Sequence, residues 1–105
     1  MAQFDVYLNP QPAARERFPF VVQVQSDFLD KLPTRLVMPL SVIELAADQL
    51  PSDLTPVFHI LGQRLALMPH LAAPLPKNIL KKPVESLPDA SLTVAKCLDA
   101  VLSGL

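Results

Sequence analysis

One cysteine, two glycines and no tryptophan occur in 105 residues, and each scarcity excludes something. A single cysteine, Cys97, rules out an internal disulfide and fits a reducing cytoplasm. With only Gly62 and Gly104 there is no glycine-rich phosphate loop. The two histidines, His59 and His70, are separated in sequence and have that one cysteine for company. No metal-ligand spacing results, and no cofactor is expected. No apolar run approaches the ~20 residues needed to span a bilayer, so no membrane contact is expected. The first residues, with Asp5 among them, lack the basic and apolar regions of a secretory leader, so a soluble cytoplasmic protein is expected. Neither sign of charge dominates: 9 Lys and Arg stand against 10 Asp and Glu, a net charge of -1. That balance argues against strong nonspecific binding of nucleic acid, which needs many cationic contacts to phosphate.

What is abundant is apolar: half the residues are hydrophobic and 18% are charged, the balance of a folded chain and not a disordered one. The length suits one domain over residues 1–105 with a modest core. So high an apolar share leaves surface for a partner to cover, which favours a homo-oligomer or a binding protein. Nothing resembles an enzyme site. Ser26, Asp27 and His59 lack nucleophile-elbow wording and read as a turn pair and a strand histidine. Cys97 lies in an apolar helix stripe and reads as core.

Phe4, Val6 and Leu8 alternate with Gln3, Asp5 and Tyr7, the period of a first strand. Asn9-Pro10-Gln11-Pro12 ends it, and Ala13 to Arg17 form a polar loop. Phe18, Phe20, Val22 and Val24 share one face of a second strand, with Pro19 at its start. A third strand covers about Arg35 to Met38. Ser41 with Glu44 has the spacing of a capping box, predicting a short helix over 42–47. Val57 to Leu61 and Arg64 to Met68 read as a hairpin around Gly62-Gln63. A proline-rich stretch follows from Pro69 to Pro83, with edge strands possible between Leu75 and Leu80. The last segment is the clearest helix, capped at Ser86 and running from Pro88 to Leu102. Its stripe is Val94, Cys97, Leu98, Val101 and Leu105, and Gly104 is its stop. The fold class is therefore mainly β with a C-terminal α-helix: a small, partly open antiparallel barrel of the SH3-like kind.

One stretch is more specific than the rest. Val22-Gln23-Val24-Gln25-Ser26-Asp27 is a strand and a polar turn, followed by the apolar pair Phe28-Leu29, Asp30, and then Arg35-Leu36-Val37-Met38-Pro39-Leu40. Large apolar residues placed directly after a turn either cover a barrel mouth or meet a partner. The wording Val-Gln-Ser-Asp, two apolar residues, Asp, then Arg-x-Val-x-Pro-Leu resembles the CcdB family of bacterial toxins. Phe4-x-Val6-Tyr7, Pro56-Val57-x-His59-Ile60 and the closing Gly104-Leu105 extend the resemblance over essentially the whole chain.

The resemblance implies a type II toxin of a toxin–antitoxin system, of the plasmid-maintenance kind. Such a toxin is a homodimer that binds the A subunit of DNA gyrase and traps the enzyme on cleaved DNA. It also implies a CcdA-like antitoxin that neutralises the toxin and joins it in repressing their operon, supplying the DNA contacts. Carried over by position, the gyrase-binding residues are Phe28, Leu29, Asp99, Leu102, Ser103, Gly104 and Leu105. The antitoxin-binding residues fall in the loop after the first strand, Asn9 and Arg15, and around Leu45, Asp48 and Leu50. One departure matters. The best-known member carries tryptophan before the terminal glycine, and here that position is Ser103. Two alternatives remain at this point. One is an endoribonuclease toxin of the same barrel, using Arg35 with Asp27 or His59. The other is a non-toxic member that only binds antitoxin.

Overall fold

The computed structural model describes residues 2–43 and 55–104. Seven strands form one antiparallel sheet: β1 (Asp5–Leu8), β2 (Phe20–Gln23), β3 (Thr34–Val42), β4 (Val57–Ile60), β5 (Gln63–Leu67), β6 (Ala73–Pro76) and β7 (Glu85–Ser86). They lie in the order β4-β5-β3-β2-β1-β7, with β6 beside the first half of β3. The sheet curls until its two ends approach, since Phe58 of β4 and Ser86 of β7 line the same cavity. Among the described residues one α-helix, α1 (Ser91–Ser103), closes the fold. A mainly β protein with a nearly closed, barrel-like sheet and a C-terminal helix is what the sequence predicts.

Proline explains how one strand serves three neighbours. Thr34 to Val37 of β3 pair with β6, and Leu40 to Val42 pair with β5. Pro39 sits between, and its carbonyl, turned to that side, accepts from Met68 N at 3.0 Å. Its missing N–H thus falls where the neighbour changes and no ladder bond is lost. On β6, Pro74 and Pro76 lie opposite Leu36 and Thr34. Leu36 N instead donates to the Gln25 side chain at 3.0 Å, on the far side of β3. The backbone positions of Pro74 and Pro76 therefore face outward, where an edge without N–H donors resists pairing with a further strand.

The main core lies between the sheet and α1. Val6, Val22, Met38, Leu40, Ile60, Leu65 and Leu67 meet Val94 and Cys97 of the helix there. Each such side chain contributes about 1.5–3 kcal/mol of transfer free energy. A second, smaller cluster covers the opposite face: Tyr7, Val21, Val37 and Leu80, with Leu75 against it. Two-sided cover is the reason the alternation misleads in β1 and β2. Tyr7 and Gln23, expected in solvent, are buried, and Leu8, expected in the core, is exposed. Burial also raises the Tyr7 hydroxyl above its ordinary pKa of 10.0, helped by Asp5 and opposed by Arg35.

Other boundaries differ for local reasons. Phe4 lies outside β1 with φ of 70°, its N–H donating to Gln23 O, and this turn carries its ring into the core. Ser41 and Val42 belong to β3, paired with Ala66 and Leu65, so Ser41 caps no helix. The remainder of the helix expected over 42–47 falls mostly outside the described residues. The β4–β5 hairpin turns at Leu61-Gly62, one residue earlier than expected, with φ of 51° and 80°. Positive φ at both central positions is the type I′ geometry that matches strand twist. Ser86 lies in β7 opposite Asp5, and the helix begins at Ser91 behind an Ala90 N-cap that makes no side-chain cap bond.

Candidate partner-binding site

Ser26, three residues past β2, is the N-cap of a 3₁₀ turn, Asp27–Leu29. Its hydroxyl accepts from Phe28 N at 3.2 Å, the local bond that lets a short polar side chain cap a turn. Asp27 accepts from Gln3 N at 3.3 Å, which ties the turn to the residues before β1. The backbone continues the turn through Leu29 N to Ser26 O, Asp30 N to Asp27 O and Leu32 N to Leu29 O. From this frame Phe28 projects with 100% of its surface accessible, and Leu29 keeps 49%. A phenylalanine ring buries on the order of 150–250 Å² when it finds a partner, so leaving one in water is costly. Covering a barrel mouth, the other reading of this pair, is not what Phe28 does.

Two side chains hold the loop behind that ring. Gln25 donates from Nε2 to Leu29 O at 3.0 Å and Thr34 O at 3.1 Å, and its Oε1 accepts from Leu36 N. Arg35, only 3% exposed, sends its guanidinium back into the same loop. It donates to the carbonyls of Leu32, Thr34 and Asp30 and to the Asp30 carboxylate at 2.9 Å.

The second group of expected contacts sits at the end of α1. Leu102 is 77% exposed, and Asp99, Ser103 and Gly104 are exposed with it. Ser103 turns its hydroxyl onto Asp99 O at 2.7 Å, so the side chain adds little surface to the tip. Gly104 takes a left-handed conformation, φ 73°, and returns its N–H to Ala100 O at 2.9 Å. That C-cap suits glycine, which has no Cβ to clash. Leu105 lies outside the described residues. Within the single chain α1 packs on the sheet through Val94 and Cys97 and its backbone comes near the 3₁₀ turn Pro69–Leu71, while the Phe28 turn is not among the elements whose backbone lies close to it. The two expected clusters are thus separate prominences of one protomer.

The antitoxin residues divide. Asn9 is buried, and it holds the loop from within. Its amide donates to Phe18 O, its Oδ1 accepts from Gln11 N, and its carbonyl accepts from Arg15 Nε at 2.6 Å. The expected polar loop is therefore built around Asn9 and the 3₁₀ turn Pro12–Ala14. Behind it opens an apolar groove of about 280 Å³, walled by Phe18, Val21, Pro39, Leu71 and Leu75. No sequence pattern marked that groove, because its walls come from distant segments. Leu45, Asp48 and Leu50 lie outside the described residues.

The nuclease candidates do not converge. Arg35 spends its donors on the loop, Asp27 accepts from Gln3, and His59 is exposed on β4, with β5 between it and β3. Burial raises the Cys97 thiol above its ordinary pKa, which keeps it in the less nucleophilic form. Among the described residues there is no cluster of His, Cys, Asp or Glu able to hold a metal ion. Nor is any helix there long and apolar enough to cross a membrane.

A family model described as CcdB protein matches residues 3–104, which includes both prominences and the frame beneath them. The chain belongs to the CcdB family. Membership makes this CcdB-family chain a toxin of a toxin–antitoxin system. The wording Val-Gln-Ser-Asp is thereby explained as framework: a glutamine, a capping serine and a tethering aspartate that build the platform under an exposed phenylalanine.

Proposed function

We propose that this CcdB-family toxin binds the A subunit of DNA gyrase and traps the enzyme on cleaved DNA. It acts as a homodimer and performs no chemistry of its own. The observation that carries the reading is Phe28, wholly in solvent on a turn bonded from both sides. A rigid aromatic anchor with a polar surround is the composition of an interface hot spot. Leu102 at the tip of α1 supplies a second anchor, and two copies of each in a symmetric dimer widen the face beyond what one protomer offers. A CcdA-like antitoxin neutralises the toxin through the Asn9–Arg15 loop and its neighbourhood, and the two together repress their operon. The near-neutral charge of this chain supports leaving the DNA contacts to the antitoxin. The site of action is the cytoplasm, where gyrase works.

Purified protein is incubated with gyrase, ATP and supercoiled plasmid, and the products are resolved after denaturation. Linear, gyrase-cleaved DNA is the expected product. No cleavage together with tight antitoxin binding would instead identify a non-toxic member. Degradation of RNA without gyrase would identify a nuclease. Gly104→Arg is expected to abolish poisoning, and full activity in that variant would remove the helix tip from the face.

A further inference from the structure

We infer that Arg35 is the positioning residue of the recognition turn, holding the backbone from Asp30 to Thr34 in the shape that keeps Phe28 in solvent. The inference rests on the reading of that turn as the gyrase contact. The loop carries three exposed apolar side chains, Phe28, Leu29 and Leu32, so collapse onto neighbouring apolar surface is the conformation to be prevented. Within it the backbone bonds are the three short-range ones of the turn, which close small rings and resist little, and Lys77 N ties Pro33 O from outside at 3.0 Å. The side-chain bonds that oppose collapse come chiefly from β3. Arg35 is fixed there opposite Leu75 of β6, and its two terminal nitrogens bond four acceptors in Asp30, Leu32 and Thr34.

Only a guanidinium suits this arrangement. Its donors leave in a planar fork, so two nitrogens can engage carbonyls from residues on different sides of the loop. A lysine ammonium is a single point with three donors and cannot span them. The charge is buried on its own side chain while its one carboxylate partner, Asp30, stays 64% exposed. The pair is therefore poorly suited to stabilising the core and well suited to tying loop to strand. Gln25 closes the loop from the other flank and shares the Thr34 carbonyl with Arg35. A turn ordered before the partner arrives lowers the entropy lost on binding, which is where such a device acts.

The test uses full-length protein, Arg35→Lys and Gln25→Ala, with amide hydrogen exchange and gyrase A binding as paired readouts. In wild type the amides of Leu29, Asp30 and Leu32 should exchange at least about tenfold more slowly than in an unstructured chain. Arg35→Lys should bring them within about threefold of that limit while Val24, bonded to Leu36 O across the β2–β3 ladder, stays protected. Gyrase affinity should fall about 10–100-fold, with antitoxin binding unchanged. Loop amides as protected in Arg35→Lys as in wild type would overturn the inference, as would a loosened loop with undiminished gyrase binding. If Arg35→Lys also exposes Val24, the partly exposed Gln25→Ala decides, and it should show the same loosening on a smaller scale. Wild-type protein that does not bind gyrase would sink the gyrase reading alone, since the exchange pattern still judges Arg35.

Discussion

The turn at Asp27–Leu29 and the hairpin tip at Leu61-Gly62 each hold a large apolar side chain in solvent, Phe28 and Leu61. Behind Phe28 stand Ser26, Gln25 and Arg35, whose side chains bond the loop from within. Leu61 stands on a two-residue turn alone, 64% exposed and with φ of 51°, a region that costs an ordinary residue about 1–2 kcal/mol. The first loop is supported far beyond what joining two strands requires. The second does no more than reverse the chain, and its sequence is not the best for that. Exposure alone therefore does not set Phe28 apart from Leu61; the platform beneath it does.

Substitutions at the two loops should separate sharply. Phe28→Ala is expected to weaken gyrase A binding by about 2–4 kcal/mol in a titration, with stability unchanged within about 0.5 kcal/mol. Leu61→Ala should leave binding as it is. Equal losses at both positions would erase the distinction between them. At the other prominence, Leu102→Ala should cost about 1–2 kcal/mol of gyrase affinity. Ser103→Trp should raise affinity by about 1 kcal/mol or more, because it adds the aromatic surface that serine lacks. No gain from tryptophan would mean that the Phe28 turn carries the interface without help from the helix end.

The hairpin tip has the opposite expectation. Leu61→Asn gives the Asn-Gly pair that type I′ turns favour and should stabilise the fold by up to about 1 kcal/mol in denaturant unfolding. A loss of stability there would show that Leu61 makes contacts that its exposure hides. The smallest effect concerns the sheet beneath the Phe28 loop. Tyr7 has a pKa raised in the folded state, chiefly by burial. The folded protein then binds the hydroxyl proton more firmly than the unfolded chain does. The associated stability is complete below pH 10.0 and falls as pH rises through the higher folded value. Tyr7→Phe should flatten that alkaline decline in melting temperature measured from pH 9 to 11, and an identical slope would contradict the burial argument.

Much of the fold was legible because its signals are local. Pro19 ahead of β2, Ser26 and Asp27 at the turn, and the stripe of Val94 and Cys97 each act through bonds or periodicity within a few residues. The apolar pair after Ser26-Asp27 was legible as exposed for the same reason. Alternation failed at Tyr7, where the segment around Leu80 crosses the second face and buries what a one-sided sheet would leave wet, and it failed also at Leu8 and Gln23. The capping-box reading of Ser41 failed because β5 extends β3 past Pro39, and ladder bonds to a distant strand outweigh one side-chain cap. Arg35 was legible as part of the third strand and the family wording and as a nuclease candidate, with nothing local to show where its donors go.

From sequence alone come the family, the fold class, the platform wording and the missing aromatic at Ser103, all of them properties of residue identity and close spacing. Tertiary structure decided which faces are covered, that Asn9 works inside its loop, and that Arg35 spends its terminal donors on the loop from Asp30 to Thr34. The physical reason is that burial and hydrogen-bond partners are set by segments far apart in the chain. A guanidinium has the same donors wherever it stands, and only the fold determines which carbonyls receive them.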